Sequence, residues 1–348
     1  MDAPSPREWT AARIVVGYAR FVKAVECDRP GDEEVLQVVD RPSPELTPGA
    51  VRIAVRAAGL NRADLLQRRG LYPPPSGVTE VLGLECAGTV FEIGADVPHL
   101  RPGARVMALV AGGGQAEQVV VHHGSIMAVP DGMSDAEAGG FPEVFLTAHL
   151  NLFMLGGLNS GGVALVHGGS GGVGTAAIQL IREAGARVVV TAGSDDRCRR
   201  CLELGAERAV NHRTEDFADA VDELTGGRGA DVVLDCIGGD YLERNLRCLA
   251  PDGRLVVIGL MGGRSGELDL ARLLTRRLQV IGSTLRALDV ERKAAVVRSF
   301  LDRFGDALDA GRLRTIVDSV FPLERVADAH SRLASGDVFG KVVLQVAG

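Results

Sequence analysis

The chain has 348 residues, of which 46% are hydrophobic and 24% charged, with a net charge of −7 and a pI near 5.6; this is the composition of a soluble, two-domain globular enzyme. No run of Lys and Arg is interleaved with aromatics, which argues against a nucleic-acid surface, and the apolar runs are short and broken by glycine, which predicts no membrane span, no signal peptide and a cytoplasmic location. Six cysteines, at 27, 86, 198, 201, 236 and 248, are too few and too scattered for a disulfide scaffold or a four-cysteine zinc lobe.

Residues 1–21 carry the only tryptophan, Trp9, together with Pro4 and Pro6, and read as an extension, either a tail or an added strand. A domain start is expected at Val22-Lys23-Ala24-Val25. From 22 to 144 the pattern is β-rich, with strands at Val51 to Val55, Thr89 to Ile93 and Arg105 to Val110 separated by turn signals, which implies a partly antiparallel, barrel-like domain. His122 and His123 lie on an extended segment there, whose alternation sends adjacent rings to opposite sides, so they read as surface residues. From 145 to 286 strands alternate with amphipathic segments. The strands centre on 165, 189, 209, 233 and 256, with a sixth over 278–284, the pattern of a doubly wound parallel sheet and hence an α/β fold. A helix over 289–310, a strand from Arg314 to Asp318, a helix over 323–334 and a strand from Lys341 to Val346 then rejoin the first domain, so that 22–144 and 287–348 form one unit.

The most informative stretch begins at Val163-Ala164-Leu165-Val166 and runs through Gly169-Ser170-Gly171-Gly172-Val173-Gly174 into the helical spacing Ala176, Ala177, Ile178, Leu180, Ile181. A strand, a glycine turn and a helix in that order form the start of a dinucleotide-binding βαβ unit. Gly169 is expected to take the tight turn, Gly171 to let a pyrophosphate approach the main chain, and Gly174 to let the helix pack closely. The helix N-terminus offers its free N–H groups and positive dipole end to the phosphates.

The tip of the next strand, Thr191-Ala192-Gly193-Ser194, selects the dinucleotide. An enzyme that uses NAD usually places an acid there for the adenine ribose. Here Gly193 and Ser194 leave room for a 2′-phosphate, with Arg197 one turn on and His212 after the third strand to bind it, which favours NADPH. Asp195 and Asp196 stand near enough to serve a ribose instead, and Arg197 reads equally as a solvated helix residue. Cys198-x-x-Cys201 falls inside that helix with no second ligand pair, and reads as ordinary helix residues.

Four segments carry a resemblance that runs from residue 22 to 346. They are Ala58 to Arg68 followed by Gly70-Leu71-Tyr72-Pro73-Pro74-Pro75; Leu82-Gly83-Leu84-Glu85-Cys86-Ala87-Gly88; Val166-His167 through Gln179-Leu180; and Asp235-Cys236-Ile237-Gly238-Gly239 with Gly259-Leu260-Met261-Gly262-Gly263. Through them the chain resembles the medium-chain dehydrogenase/reductase superfamily in its zinc-free, zeta-crystallin-like quinone oxidoreductase branch, with the tumour-suppressor-induced subgroup as the most similar. The resemblance implies a GroES-like catalytic domain and a Rossmann domain. Where zinc-dependent members carry catalytic Cys and His ligands, this chain has Asn61 and Leu84. Glu85 alone does not complete a three-ligand site, so no metal is expected.

The resemblance further implies NADPH as hydride donor and a small quinone or enone as acceptor. Asn61 and Tyr72 are the expected catalytic donors, flanking the nicotinamide. Asn61 reads alternatively as the cap of the following helix, and Tyr72 as a turn residue packed on Pro73 to Pro75. Thr147 is expected near the nicotinamide, the loop with Gly259, Met261 and Gly262 lining its pocket, and Ser283, Leu285 and Lys341 at the domain junction; a structural alternative for Lys341 is a solvated charge at a strand start. Relatives pair through the last Rossmann strand, here Leu278 to Thr284, which implies a homodimer. Three readings stay open: a quinone reductase, an enoyl or enone reductase, and a non-catalytic NADPH-binding structural or RNA-binding protein, the last disfavoured by the acidic pI.

Overall fold

The computed structural model describes residues 21–346. In chain order its strands are β1 (Phe21–Cys27), β2 (Leu36–Pro42), β3 (Ala50–Gly59), β4 (Glu85–Ile93), β5 (Arg105–Leu109), β6 (Gln118–His122), β7 (Ile126–Ala128), β8 (Val163–Val166), β9 (Arg187–Ala192), β10 (Arg208–Asn211), β11 (Ala230–Asp235), β12 (Leu249–Val257), β13 (Gln279–Gly282), β14 (Val317–Pro322) and β15 (Lys341–Gln345). The helices are α1 (Arg62–Arg68), α2 (Asp135–Gly139), α3 (Pro142–His149), α4 (Gly172–Glu183), α5 (Asp195–Leu204), α6 (Phe217–Thr225), α7 (Leu242–Arg247), α8 (Leu270–Thr275), α9 (Val290–Asp309) and α10 (Val326–Ala334). The expectation for residues 1–21 lies outside the described residues, apart from Phe21, which opens β1.

Six strands form a parallel sheet in the order β10-β9-β8-β11-β12-β13, the doubly wound α/β arrangement that the alternating pattern predicts. Both of its faces are buried, which is why β8, β9 and β11 are continuous apolar runs. Side chains alternate between two cores: Ala164, Val166, Val188 and Val190 pack with Ile178 and Ile181 of α4, while Val163, Leu165, Val189 and Val233 pack with Phe217 and Val221 of α6.

A seven-stranded, mostly antiparallel sheet holds β3, β4, β5, β6 and β7, and the late strands β14 and β15 return to it; β15 pairs with β3, with Val343 opposite Gly59. This sheet is thus made from strands early and late in the described chain. Its β-rich core and the parallel sheet share one apolar cluster, in which Phe141 and Phe145 of α3 stack at 3.8 Å and Phe300 of α9 meets Phe141 edge-on.

Two strands start three or more residues from where they are expected. β4 begins at Glu85 rather than Thr89, because Gly88 lets the strand pass β3 closely; a Cβ there would lie 2.0 Å from the Ala54 carbonyl oxygen. β14 begins at Val317 rather than Arg314. The side chain of Gln179 accepts from the Arg314 N–H at 2.9 Å and donates to the Arg314 carbonyl at 2.9 Å, so it takes the backbone groups that a strand neighbour would need.

Two glycines should respond to alanine with opposite signs. A Cβ on Gly174 would fall 2.3 Å from the Gly168 oxygen and 2.6 Å from the Gly169 Cα, whereas one on Gly305, inside α9, meets nothing within 4 Å. Gly174→Ala should lower stability by about 1–3 kcal/mol and Gly305→Ala should raise it by about 0.5–1 kcal/mol, both read from denaturant unfolding.

Candidate active site at the junction of the two sheets

The glycine turn stands at the carboxyl end of β8, beside the point where strand order reverses between β9 and β11, the place where open parallel sheets bind ligands. The residue in the left-handed region is Gly168 (φ +73), not Gly169 as the sequence suggests. Gly169 is required for another reason: its Cβ would lie 2.6 Å from that of Val190 on β9. Gly171 precedes α4, and a Cβ there would approach nothing closer than 3.4 Å, so the main chain is open to a phosphate. Val173 packs partly on the core below. Under the turn His167 is buried between Thr191 Oγ1 (3.1 Å) and Asn245 Oδ1 (2.7 Å), and burial holds its imidazole neutral, with a pKa pulled down to about 4.

At the tip of β9 the absence of an acid is matched by a convergence of two arginines and a histidine. A Cβ on Gly193 would stand 3.5 Å from Arg197 Nη1, 3.5 Å from His212 Nε2 and 3.9 Å from Arg213 Nη2. Arg213 carries no sequence signal, since it reads as one more surface arginine. Arg197 is no solvated helix residue: its guanidinium crosses to Asp337 at 2.5 Å. Ser194 caps α5, its Oγ accepting from the Arg197 N–H at 3.4 Å. The two acids that could have served a ribose are already engaged, Asp195 with Asn211 Nδ2 at 2.7 Å and Asp196 with Arg199. Burial and the neighbouring Arg213 pull the His212 pKa below the usual histidine value.

Where the two sheets meet, Lys341 at the start of β15 is buried, against the reading of a solvated charge. Its ammonium donates to the Leu60 carbonyl (2.6 Å) and to Asn61 Oδ1 (2.7 Å), and forms an ion pair with Glu85 Oε1 at 2.6 Å. Gly59 makes room for that carboxylate, since a Cβ would fall 2.4 Å from Glu85 Oε1. Asn61 is the N-cap of α1, yet its side-chain amide does not bond the helix; Nδ2 donates to Glu85 Oε1 at 2.9 Å. The amide expected to reach outward is therefore committed inward, because the buried ion pair supplies both its acceptor and its donor. The helix start is held instead by Asp64, which accepts from the Asn61 N–H at 2.7 Å and the Gly83 N–H at 3.1 Å; burial still lifts its pKa to about 6.

Tyr72 is half-buried on the loop after α1, with Arg286 Nη1 on its carbonyl (3.3 Å) and the guanidinium 5.3 Å from its ring centre. Burial raises its phenol pKa. Thr147 is buried on α3. Met261 is exposed on a loop whose glycines fit closely against Cys236 to Gly239: the Met261 N–H reaches the Cys236 carbonyl at 3.2 Å, the Gly262 N–H that of Ile237 at 2.7 Å, and Gly259 has no space for a Cβ beside Cys236. The Ser283 N–H continues the β12 ladder at Val257, whereas the Leu285 side chain is part of the apolar core and faces no cleft.

Two further expectations meet the structure differently. His122 and His123 do not diverge; their ring centres are 4.5 Å apart, since a 3-10 turn starts at His123 and ends the strand alternation. Cys198 and Cys201 are free, buried thiols on the inner face of α5, as an ordinary helix reading requires. Three junction residues gave no sequence signal: Glu143, Arg286 and Lys293. Arg286 donates to the Ala111 carbonyl and to Gln67 Oε1 (2.7 Å each), and Lys293 donates to the Arg286 carbonyl at 2.8 Å.

Residues 47–156 match the alcohol dehydrogenase GroES-like domain and residues 172–301 the zinc-binding dehydrogenase family. The chain is 34% identical to a phenolphthiocerol/phthiocerol polyketide synthase of Mycobacterium tuberculosis, with 95% of the chain aligned but only 15% of that much longer protein. It is 30% identical to quinone oxidoreductase-like protein 2 of Bos taurus over 98% of the chain and 97% of the relative. Among solved structures, Escherichia coli quinone oxidoreductase complexed with NADPH superposes with a TM-score of 0.82 at 28% identity, covering 93% of this chain and all of that one. The CurK enoyl reductase does so with a TM-score of 0.81 at 28% identity, covering 94% and 99%. The glycine turn, the strand order and these likenesses over nearly the whole length agree: the chain belongs to the medium-chain dehydrogenase/reductase superfamily, with quinone oxidoreductase-like proteins among its relatives.

Proposed function

We propose that the protein is a metal-independent, NADPH-dependent reductase that passes hydride to quinones. The observation that carries the cofactor choice is the convergence of Arg197, His212 and Arg213 around Gly193, where a 2′-phosphate would find charge-assisted partners, with the Ser194 hydroxyl beside them. NADPH, when bound, supplies the hydride from its nicotinamide. Gly169, Gly171, Gly172, Val173 and Gly174 bring the N-terminus of α4 to the pyrophosphate. Thr147, the main chain of Gly259, Met261 and Gly262, and the backbone of Ser283 and Leu285 bound the nicotinamide side, with Lys341 fixing the floor of the junction. Tyr72 offers its phenol to the acceptor oxygen. We place the protein in the tumour-suppressor-induced subgroup on Arg62-Ala63-Asp64 and the triple proline at 73–75, and in the cytoplasm.

The family's name implies zinc, and these residues do not fit one. Asn61 and the buried, apolar Leu84 stand where ligands are expected, Glu85 is bound to an ammonium, and among the described residues no three His, Cys, Asp or Glu are grouped to hold a metal ion. A second reading, reduction of α,β-unsaturated carbonyls or thioesters, draws on the likeness to the CurK enoyl reductase. As for assembly, β13 is one of the two edges of the parallel sheet, with Val280 exposed on it, which supports a homodimer joined edge to edge.

Turnover of NADPH and of NADH, screened with benzoquinones, naphthoquinones, enones and enoyl thioesters, tests the reading; equal affinity for both dinucleotides would remove the phosphate pocket. Arg213→Ala should weaken NADPH binding about tenfold or more, because a hydrogen bond to a charged group is worth about 1.5–3 kcal/mol, and leave NADH unchanged. Gly193→Asp should shift preference to NADH. Chelators should leave turnover intact. Lys341→Met strands the Glu85 carboxylate in the interior and should cost about 3–5 kcal/mol in denaturant unfolding, much of it recovered when Glu85→Gln is added. Val280→Pro, which blocks an edge ladder, should convert a dimer to a monomer in light scattering; a wild-type monomer would refute the pairing.

A further inference from the structure

The other carboxylates at the junction are already occupied. Glu85 Oε1 receives Lys341 and Asn61, its Oε2 receives the Glu143 N–H at 2.9 Å, and both oxygens of Asp64 hold backbone N–H groups. Glu143 is the exception: its Oε2 is buried with no hydrogen-bond partner among the described residues. A buried carboxyl oxygen left unpaired is costly unless a proton or a ligand answers it. Glu143 lies in the first turn of α3, four residues before Thr147 and so on the same face of the helix. The charged groups that face it come from five elements: Glu85 on β4, Asp64 on α1, Lys341 on β15, Lys293 on α9, and Arg286 before α9; Tyr72 also lies within its field.

We infer that Glu143 is the acid that supplies the proton completing the reduction, a role that rests on the reductase reading above. Burial, with Glu85 and Asp64 adding to it against Lys341 and Lys293, pushes the Glu143 pKa up to about 8, so the carboxyl is protonated at neutral pH. The step balances. Hydride from the dinucleotide, which is oxidised, forms a C–H bond at the β-carbon of an enone; the electron pair of the C=C bond moves toward the α-carbon and carbonyl. There the Glu143 O–H bond breaks and a new C–H bond forms, and the carboxylate regains a proton from water. With a quinone the proton goes to oxygen, where water substitutes readily, so Glu143 matters most for acceptors protonated on carbon. This extends the second reading and assigns its acid to Glu143 rather than to Tyr72.

The full chain and its E143Q variant provide the test. In the unliganded protein, an infrared titration of wild type against E143Q should show one protonated carboxyl lost with a midpoint near pH 8; an ionised Glu143 at pH 7 overturns the inference without any turnover measurement. With cyclohexenone and NADPH, wild-type kcat should fall above about pH 8. In E143Q that limb should vanish and kcat drop by about 10²–10⁴-fold, while NADPH affinity by fluorescence and turnover of 1,4-benzoquinone change by less than about tenfold. Enone turnover within threefold of wild type, an alkaline limb that persists in E143Q, or a collapse seen only in Tyr72→Phe refutes it. If the wild type oxidises NADPH with quinones but no enone, Glu143 has no carbon to protonate and the inference fails alone. If it oxidises NADPH with neither, the reductase reading fails and takes this one with it.

Discussion

The arrangement at the junction depends on one buried ammonium. Lys341 is fixed by the ladder: β15 runs antiparallel to β3, so its first residue arrives beside Leu60 and Asn61 where β3 gives way to α1. A buried ion pair is poor evidence of stability, because desolvation offsets most of the attraction. Here the ammonium donates to the Leu60 and Asn61 oxygens while it pairs with the Glu85 carboxylate, and hydrogen bonds added to the charge match are the condition under which such a pair is tolerated. What it supplies is position. Glu85, held by the lysine through one oxygen, takes the Glu143 N–H with the other and so fixes where α3 starts. The Lys341 stem meanwhile lies against Gly172, where a Cβ would fall 2.6 Å from its Cδ. The antiparallel sheet, α3 and the glycine turn are thus registered through one side chain.

The carboxylate of that ion pair also bears on a neighbouring acid. Burial, together with the like charge of Glu85 beside it, leaves a charge at Glu143 only partly compensated, which raises the Glu143 pKa. At the tip of β9 the balance is reversed, with the guanidinium groups of Arg197 and Arg213 gathered at Gly193.

Much of this is legible in the chain. The parallel sheet can be read because buried strands between amphipathic helices leave long apolar runs at regular intervals, and the glycine turn because its purpose is backbone geometry. The left-handed residue of that turn lies one position before the expected one: Gly168 and Gly169 are both indispensable, but one for its dihedral and the other for its nearness to Val190, and a sequence does not separate the two causes. The β4 start is hidden because glycines in Leu82 to Gly88 look like a loop until the passing β3 backbone is seen. Glu143 and Arg213 leave no signal. An acid in a first helical turn and an arginine after a strand are ordinary surface features, and what makes them otherwise are neighbours brought from far along the chain, Glu85 and Lys341 for one, Gly193 and Arg197 for the other.

The five residues from Asp337 to Lys341 draw these parts together. Asp337 pairs with Arg197 at the phosphate tip; Phe339 lies under the Arg200 guanidinium at 3.8 Å, and its N–H is held by Asp318 at 3.1 Å; the Gly340 N–H donates to the Ser170 carbonyl in the glycine turn at 2.8 Å; and Lys341 closes the ion pair. Gly340 has to be glycine, with φ +94 and the Ile316 oxygen 2.0 Å from where a Cβ would sit. Asp337 is exposed while its partner Arg197 is mostly covered, so on the proposed reading a 2′-phosphate at Gly193 would meet an arginine whose carboxylate partner is well solvated and readily given up. The exchange of Asp337 for a phosphate is inexpensive at that end, and the segment it would release is anchored two residues on, at Phe339 and then at Gly340 and Lys341. The contacts around Gly193 can therefore rearrange without disturbing the ion pair that sets the geometry at Lys341.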